Sequence, residues 1–137
     1  MIEFTIPGEA RGKQRPRATK QGRVYTPKET VNAEAFIRMI AAAAMAGRPP
    51  LEGAVIMTID IRVGIPKSFT KKKRAAALTG ELSPVTKPDL DNVVKLYSDA
   101  INGIVYEDDK QIVLLVAGKK YHEQPGTTVT VAPSNNQ

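Results

Sequence analysis

The sequence has no cysteine, a single histidine, and no apolar run approaching the roughly 20 residues needed to cross a bilayer. Without cysteine, disulfides, thiolate metal sites and cysteine nucleophiles are excluded together. Packing must hold the fold, and any metal must sit on oxygen or nitrogen. With His122 alone to offer imidazole, oxygen donors are favoured. The stretch Met1-Ile2-Glu3-Phe4 lacks the basic-then-apolar pattern of a secretory signal, so the expectation is a cytoplasmic protein with no membrane contact. Internal repeats are absent, and the glycines form no phosphate-cradling loop of known spacing. No Ser, His and Asp arrangement can be defended.

What is present fits one domain. A chain of 137 residues that is 42% hydrophobic can bury one core but does not divide comfortably into two. The formal net charge of +6 implies an anionic partner, because excess Lys and Arg attract polyphosphate in a salt-dependent way. Charge alone does not separate an enzyme from a binding module.

Alternation of Ile2, Phe4 and Ile6 with Glu3 and Thr5 predicts a first strand, closed by Pro7-Gly8. Residues 11 to 23 carry Arg11, Lys13, Arg15, Arg17, Lys20 and Arg23 on an expected loop. Pro27 suits a helix start, and Phe36, Ile37, Ile40 and Met45 suggest its apolar stripe before Gly47 and Pro49-Pro50. Ala54 to Ile65 reads as a strand, and Lys71-Lys72-Lys73-Arg74 leads into a short basic helix. Leu90 to Ile101 matches helical spacing closely, with Asn102-Gly103 as its stop. Gln111 to Ala117 and Thr127 to Val131 read as two further strands. The order predicts an α+β fold, a mixed or antiparallel sheet covered by helices, spanning residues 1–132. Residues 133–137 are expected to form a disordered tail.

The sharpest feature is Lys87-Pro88-Asp89-Leu90-Asp91-Asn92, two carboxylates two residues apart in a basic protein. Residues i and i+2 of a helix point about 200° apart, so both can gather at one ion only if Asp89 precedes the helix. Pro88 allows that. Lys95, at i+4 from Asp91, shares its face, while Val93, Val94, Tyr97 and Ile101 are expected to be buried. A second acidic group, Glu107-Asp108-Asp109, comes just before a strand and could return near the same helix start. Hard oxygen ligands in this number suit Mg²⁺ or Mn²⁺, which activate water and neutralise charge building on phosphorus. Taken singly, each acid reads more simply as a cap, a surface ion pair or a solvated turn; their combination favours metal. A calcium-binding helix-loop-helix is excluded by spacing, since its glycine position is Val94 and its last glutamate would fall on Ala100.

These residues resemble the RusA-type Holliday junction resolvases. The resemblance runs from Lys87 to Val113 through Asp89, Asp91, Asn92, Lys95, Asp99-Ala100, Asn102-Gly103 and Asp108-Asp109, with Gly12-Lys13-Gln14-Arg15-Pro16-Arg17 similar to the family's early loop. It implies a RusA-like fold in which Asp89, Asp91 and Asp109 are catalytic metal acids, with Asp108 a further candidate and Lys95 the active-site lysine. It also implies Mg²⁺-dependent, paired, symmetric nicking of four-way DNA junctions by a homodimer, Mn²⁺ being a possible substitute, in a bacterial or phage setting.

Lys13, Arg15, Arg17, Lys20 and Arg23, and the run Lys71, Lys72 and Lys73, are the candidate phosphate contacts. Tyr25 and Phe69 could stack on bases, although packing is the commoner role of such aromatics. The alternatives in a different class are a non-catalytic nucleic-acid-binding protein, with acids serving structure alone, and a junction-binding scaffold.

Overall fold

A computed structural model describes residues 1–135. Its elements are β1 (Ile2–Pro7), β2 (Arg17–Ala18), β3 (Val24–Tyr25), α1 (Lys28–Met45), β4 (Val55–Gly64), α2 (Lys71–Thr79), α3 (Leu90–Ala100), a 3₁₀ turn (Asp109–Gln111), β5 (Ile112–His122) and β6 (Gly126–Pro133). The alternation in β4 organises the rest. Val55, Met57, Ile59, Ile61 and Val63 are buried on one side, whereas the residues between them stay half-covered. β4 pairs parallel with β5 and antiparallel with β6, and β1 lies beyond β6, giving the order β1-β6-β4-β5. The sheet is therefore mixed, and the fold is α+β. β5 and β6 follow one another in sequence yet lie on opposite sides of β4.

The buried side of the sheet forms one core with α1 and α3. Ile37, Ala41 and Met45 from α1, and Val93, Leu96, Tyr97 and Ala100 from α3, share it with Phe4, Met57, Ile59, Val129 and Val131. Fully burying such side chains stabilises the fold by about 1.5–3 kcal/mol each. The other side carries polar contacts: Thr5 and Thr128 hydroxyls lie 3.0 Å apart, and Arg62 donates to Thr128 at 3.0 Å and Asp60 at 3.3 Å.

Several expectations are adjusted by this packing. In α1 the buried positions are Thr30, Ile37, Ala41 and Met45, so Phe36, expected in the stripe, turns outward and is 41% exposed. β5 does not stop at Ala117 but continues to His122, because β4 offers it a parallel partner from Val55 to Gly64. The loop expected over 11–23 contains a small hairpin, with Arg17 opposite Tyr25 and Ala18 opposite Val24. β6 continues through Pro133, and the buried Ser134 donates its N–H to the Ala54 carbonyl at 2.8 Å, so order extends into the stretch expected to be a tail. Residues 136–137 of that stretch lie outside the described residues. No helix among the described residues is long and apolar enough to cross a membrane.

Candidate functional site

The site is built on the start of α3. Lys119 of β5 donates to the carbonyls of Thr86 and Pro88, both at 2.9 Å, and so fixes the approach to the helix. Asp89 takes the N-cap position with extended dihedrals (φ −67°, ψ 130°), yet its side chain makes no capping hydrogen bond. Its closest polar neighbour is the Asn92 amide at 3.5 Å. The carboxylate is exposed and available to a ligand.

The basic loop is fastened to the same turn. Lys13 N–H donates to the Asn92 carbonyl at 2.9 Å. Gly12 lies so close that an added Cβ would stand 2.8 Å from Asn92 Cβ, so only glycine allows this approach. Between loop and helix opens a cleft of about 520 Å³ in which Arg15, Arg17 and Lys87 surround Asp89. Asp91 opens elsewhere, onto a shallow depression bordered by Leu90, Val94, Leu115 and Ala117. Thus the two acids start the same helix but face different flanks.

Lys95 does not pair with Asp91; its Nζ lies 3.5 Å from Asp99, one turn further on. Asp99 is the hub of the interior charges. It accepts from Lys13 Nζ at 2.7 Å, and Glu34 of α1 stands 3.3 Å from the same ammonium. Burial opposes the Asp99 carboxylate, but the Lys13 hydrogen bond and the charges of Lys13 and Lys95 outweigh it, leaving its pKa below the ordinary value of 3.8. The Asp99 hydrogen bond likewise raises the Lys13 pKa despite desolvation. Lys13, expected as a DNA contact, therefore directs its charge inward.

The second acidic group is held by Gln111. Its Oε1 accepts from the N–H groups of Glu107 (2.9 Å) and Asp108 (3.1 Å), while its Nε2 donates to Leu51 and Gly53 carbonyls, both at 2.9 Å. Asp108 caps the 3₁₀ turn by accepting from Lys110 N–H at 2.9 Å. Beneath it, buried Tyr106 donates to the Ser98 carbonyl at 2.7 Å, joining this turn to α3. Partial burial, then contact with Asp108 and Asp99, raises the Asp109 pKa. The Lys110 N–H and the hydrogen bond with Asp109 lower that of Asp108.

These positions do not amount to a preformed metal centre. Among the described residues, no group of three or more His, Asp or Glu side chains is disposed to hold one ion. Asp109 is close to both Asp108 and Asp99, whereas Asp89 and Asp91 open onto two different depressions.

The remaining sequence candidates are dispersed. Lys20 and Arg23 are exposed at the β2–β3 hairpin, and Lys71, Lys72 and Lys73 open α2. Lys73 Nζ sits 4.2 Å above the Phe69 ring, which packs edge-on against Tyr121 at 5.7 Å. Phe69 is thus a packing residue, while Tyr25 remains exposed. His122 accepts from the Gln124 N–H at 3.1 Å and shapes a turn. Sequence reasoning did not single out Glu34 or the roles of Asp99 and Gln111. The only local signal for Asp99 was its i+4 spacing from Lys95.

Comparison with known proteins adds the family. The model of the family described as Endodeoxyribonuclease RusA matches residues 7–132. A protein of Bacillus subtilis (strain 168), named "Uncharacterized protein YqaN", is 37% identical over 135 residues, covering 95% of this chain and 94% of its own length.

Proposed function

The chain belongs to the RusA endodeoxyribonuclease family, and on that premise we propose that it resolves four-way DNA junctions by hydrolysing one phosphodiester in each of two symmetric strands. The observation that carries this reading is the cleft where Arg15, Arg17 and Lys87 surround the uncapped carboxylate of Asp89. Cations there would hold a backbone phosphate and offset its charge without reading bases. Asp89 would orient an attacking water and take its proton as the new P–O bond forms, while the bond to the leaving sugar oxygen breaks and that oxygen takes a proton from solvent. Mg²⁺, or Mn²⁺ in its place, is the proposed cofactor and would supply Lewis-acid charge at phosphorus. Asp89, Asp91, Asp109 and Asp108 are its proposed ligands, and Lys95 is the proposed catalytic lysine. Gathering those acids requires the start of α3 and the 107–111 turn to close together. A homodimer would present two cutting sites to a near-two-fold substrate.

The test is cleavage of a labelled four-way junction beside a plain duplex of the same sequence, across a Mg²⁺ titration, with wild type and Asp91→Asn. Paired nicks in the junction, lost in the variant while binding is retained, are expected. Unchanged cleavage by the variant would remove Asp91 from the site. Wild-type binding without cutting at any metal concentration would favour the scaffold.

A further inference from the structure

We propose that Tyr25 is a specificity-determining residue of the basic cleft, stacking its ring on a nucleobase left unstacked beside the phosphate that the cleft holds. The inference deepens the nuclease reading and rests on it for the DNA being branched. Tyr25 belongs to a projecting hairpin arm, in which residues 14–18 and 20–26 are all exposed. The arm is held at its base, where Lys13 N–H donates to the Asn92 carbonyl at 2.9 Å, Gln14 N–H donates to the Thr30 hydroxyl at 3.2 Å, and buried Pro27 leads into α1. Its tip is closed by local bonds. Thr19 N–H donates to the Arg23 carbonyl at 2.8 Å, Gly22 N–H to the Thr19 carbonyl at 2.9 Å, and Arg23 N–H to Thr19 Oγ1 at 3.1 Å. Gly22 supplies the left-handed φ of +80° that so tight a turn needs.

The register fixes where the ring stands. Arg17 is opposite Tyr25 and Ala18 is opposite Val24, and opposed residues of an antiparallel pair project to the same face with Cβ atoms about 4.5–5.5 Å apart. Arg17 lines the cleft that holds Asp89, so Tyr25 stands beside that cation at the edge of the cleft. The ring is free. Tyr25 is 45% exposed, and among the described residues no ring contact or side-chain hydrogen bond engages it. Phe69, beside the other basic run, is already taken up by Tyr121 and Lys73.

Charge selects a nucleic acid as what covers the ring. From Arg11 to Lys28 there are seven cations and no acid. Such a stretch follows a phosphate backbone, and an aromatic set among its cations takes the face of a base whatever the sequence. In an unbroken duplex both faces of a base are covered by its neighbours, and uncovering one is costly. At the branch point of a four-way junction the stack is already interrupted. A ring beside the bound phosphate therefore meets an open base face at the branch and closed faces along the arms. Arg15 and Arg17 hold phosphate anywhere on the DNA, whereas Tyr25 adds affinity only where a face is open. That difference lets a cleft that binds any backbone favour the branch.

The test is made in chelator, so that nothing is cut, with a four-way junction beside a plain duplex of the same sequence. Tyr25→Ala is expected to weaken junction binding by about 5-fold to 150-fold, the range for losing one base–aromatic stack, and to leave duplex binding unchanged. Tyr25→Phe keeps the ring and should bind as the wild type does. The slope of log affinity against log salt should be the same for all three proteins, because no charge is removed. With 5-iododeoxyuridine at the branch point, irradiation should cross-link the DNA to tryptic peptide 24–28, whose one aromatic is Tyr25; the same base in the middle of an arm should not cross-link there. Unchanged junction affinity in Tyr25→Ala, or no cross-link to that peptide, would overturn the proposal. So would an equal loss on junction and duplex with a reduced salt slope, which would make Tyr25 a prop for the arginines. A cross-linked complex that cuts no junction once Mg²⁺ is restored would instead count against the nuclease reading and leave the stacking standing.

Discussion

Replacing Asp99 with alanine tests whether this residue organises the charges beneath the site. The change removes the acceptor 2.7 Å from Lys13 Nζ and the partner 3.5 Å from Lys95 Nζ. The two are unequal. The Lys13 and Asp99 side chains are 27% and 21% exposed, and a charge-assisted hydrogen bond in such a setting contributes about 1.5–3 kcal/mol. Lys95 is 62% exposed, and a pair of that kind contributes about 0–1 kcal/mol. Relief of the crowding on Asp109 acts the other way, so the net loss is expected near 2 kcal/mol at pH 7. In urea this lowers the midpoint by about 1 M. The Asp99 pKa is lowered in the fold, so its contribution is fully present above the ordinary value of 3.8 and is lost as pH falls through the lowered one. Wild type and variant should therefore converge in acid. A double-mutant cycle with Lys13→Met should recover about 1–2 kcal/mol of coupling. Equal stability of wild type and variant at pH 7, or a gap that persists unchanged in acid, would refute the hub.

Gln111→Glu keeps the acceptor for Glu107 and Asp108 N–H but removes the donor to Leu51 and Gly53, so a loss of about 2–3 kcal/mol in urea melts is expected; an unchanged midpoint would mean the clamp is dispensable. Neutralising Arg15 and Arg17 should weaken DNA binding and reduce the slope of log affinity against log salt by about 2, whereas Lys13→Met, whose ammonium is committed to Asp99, should leave the slope nearly unchanged. Equal slope changes from both would place Lys13 on DNA instead. Asp109→Asn is expected to raise the melting temperature of protein kept in chelator at pH 7. The wild-type pKa is raised, so the stabilisation held below 3.8 is lost as pH rises through the folded value, and the amide avoids that loss; a lower melting temperature at pH 7 would contradict it.

What could be read from the sequence was what local pattern controls. The alternation of β1 and β4 and the 3.6-residue spacing of α3 placed those elements within a residue or two, because each buries a face set by its own sequence. The second half of β5, Gly118-Lys119-Lys120-Tyr121-His122, carries no such signal and is a strand because β4 supplies a partner along its length. Phe36 lies off the buried stripe of α1 because that stripe runs through Ile37, Ala41 and Met45, with a small residue at its most buried position. The acids were visible as a motif. Their wiring was not: Lys13 and Asp99 are 86 residues apart, and nothing near either announces the other.

The wiring separates the acids that the proposed metal site would draw on. Three acids leave α3 toward three places: Asp89 to the basic cleft, Asp91 to the depression beside β5, and Asp99 inward to Lys13 and Asp109. The helix is the one element common to all of them. Residues that only fix this helix should therefore affect cleavage. Arg38 donates from α1 to the carbonyls of Ala100 at 2.7 Å and Asn102 at 3.1 Å, binding the far end of α3 while touching none of the proposed ligands. The helix is held at both ends, by Lys119 through Pro88 at its start and by Arg38 at its finish. The 107–111 turn hangs on the four bonds of Gln111, so that amide fixes where the turn stands relative to the helix.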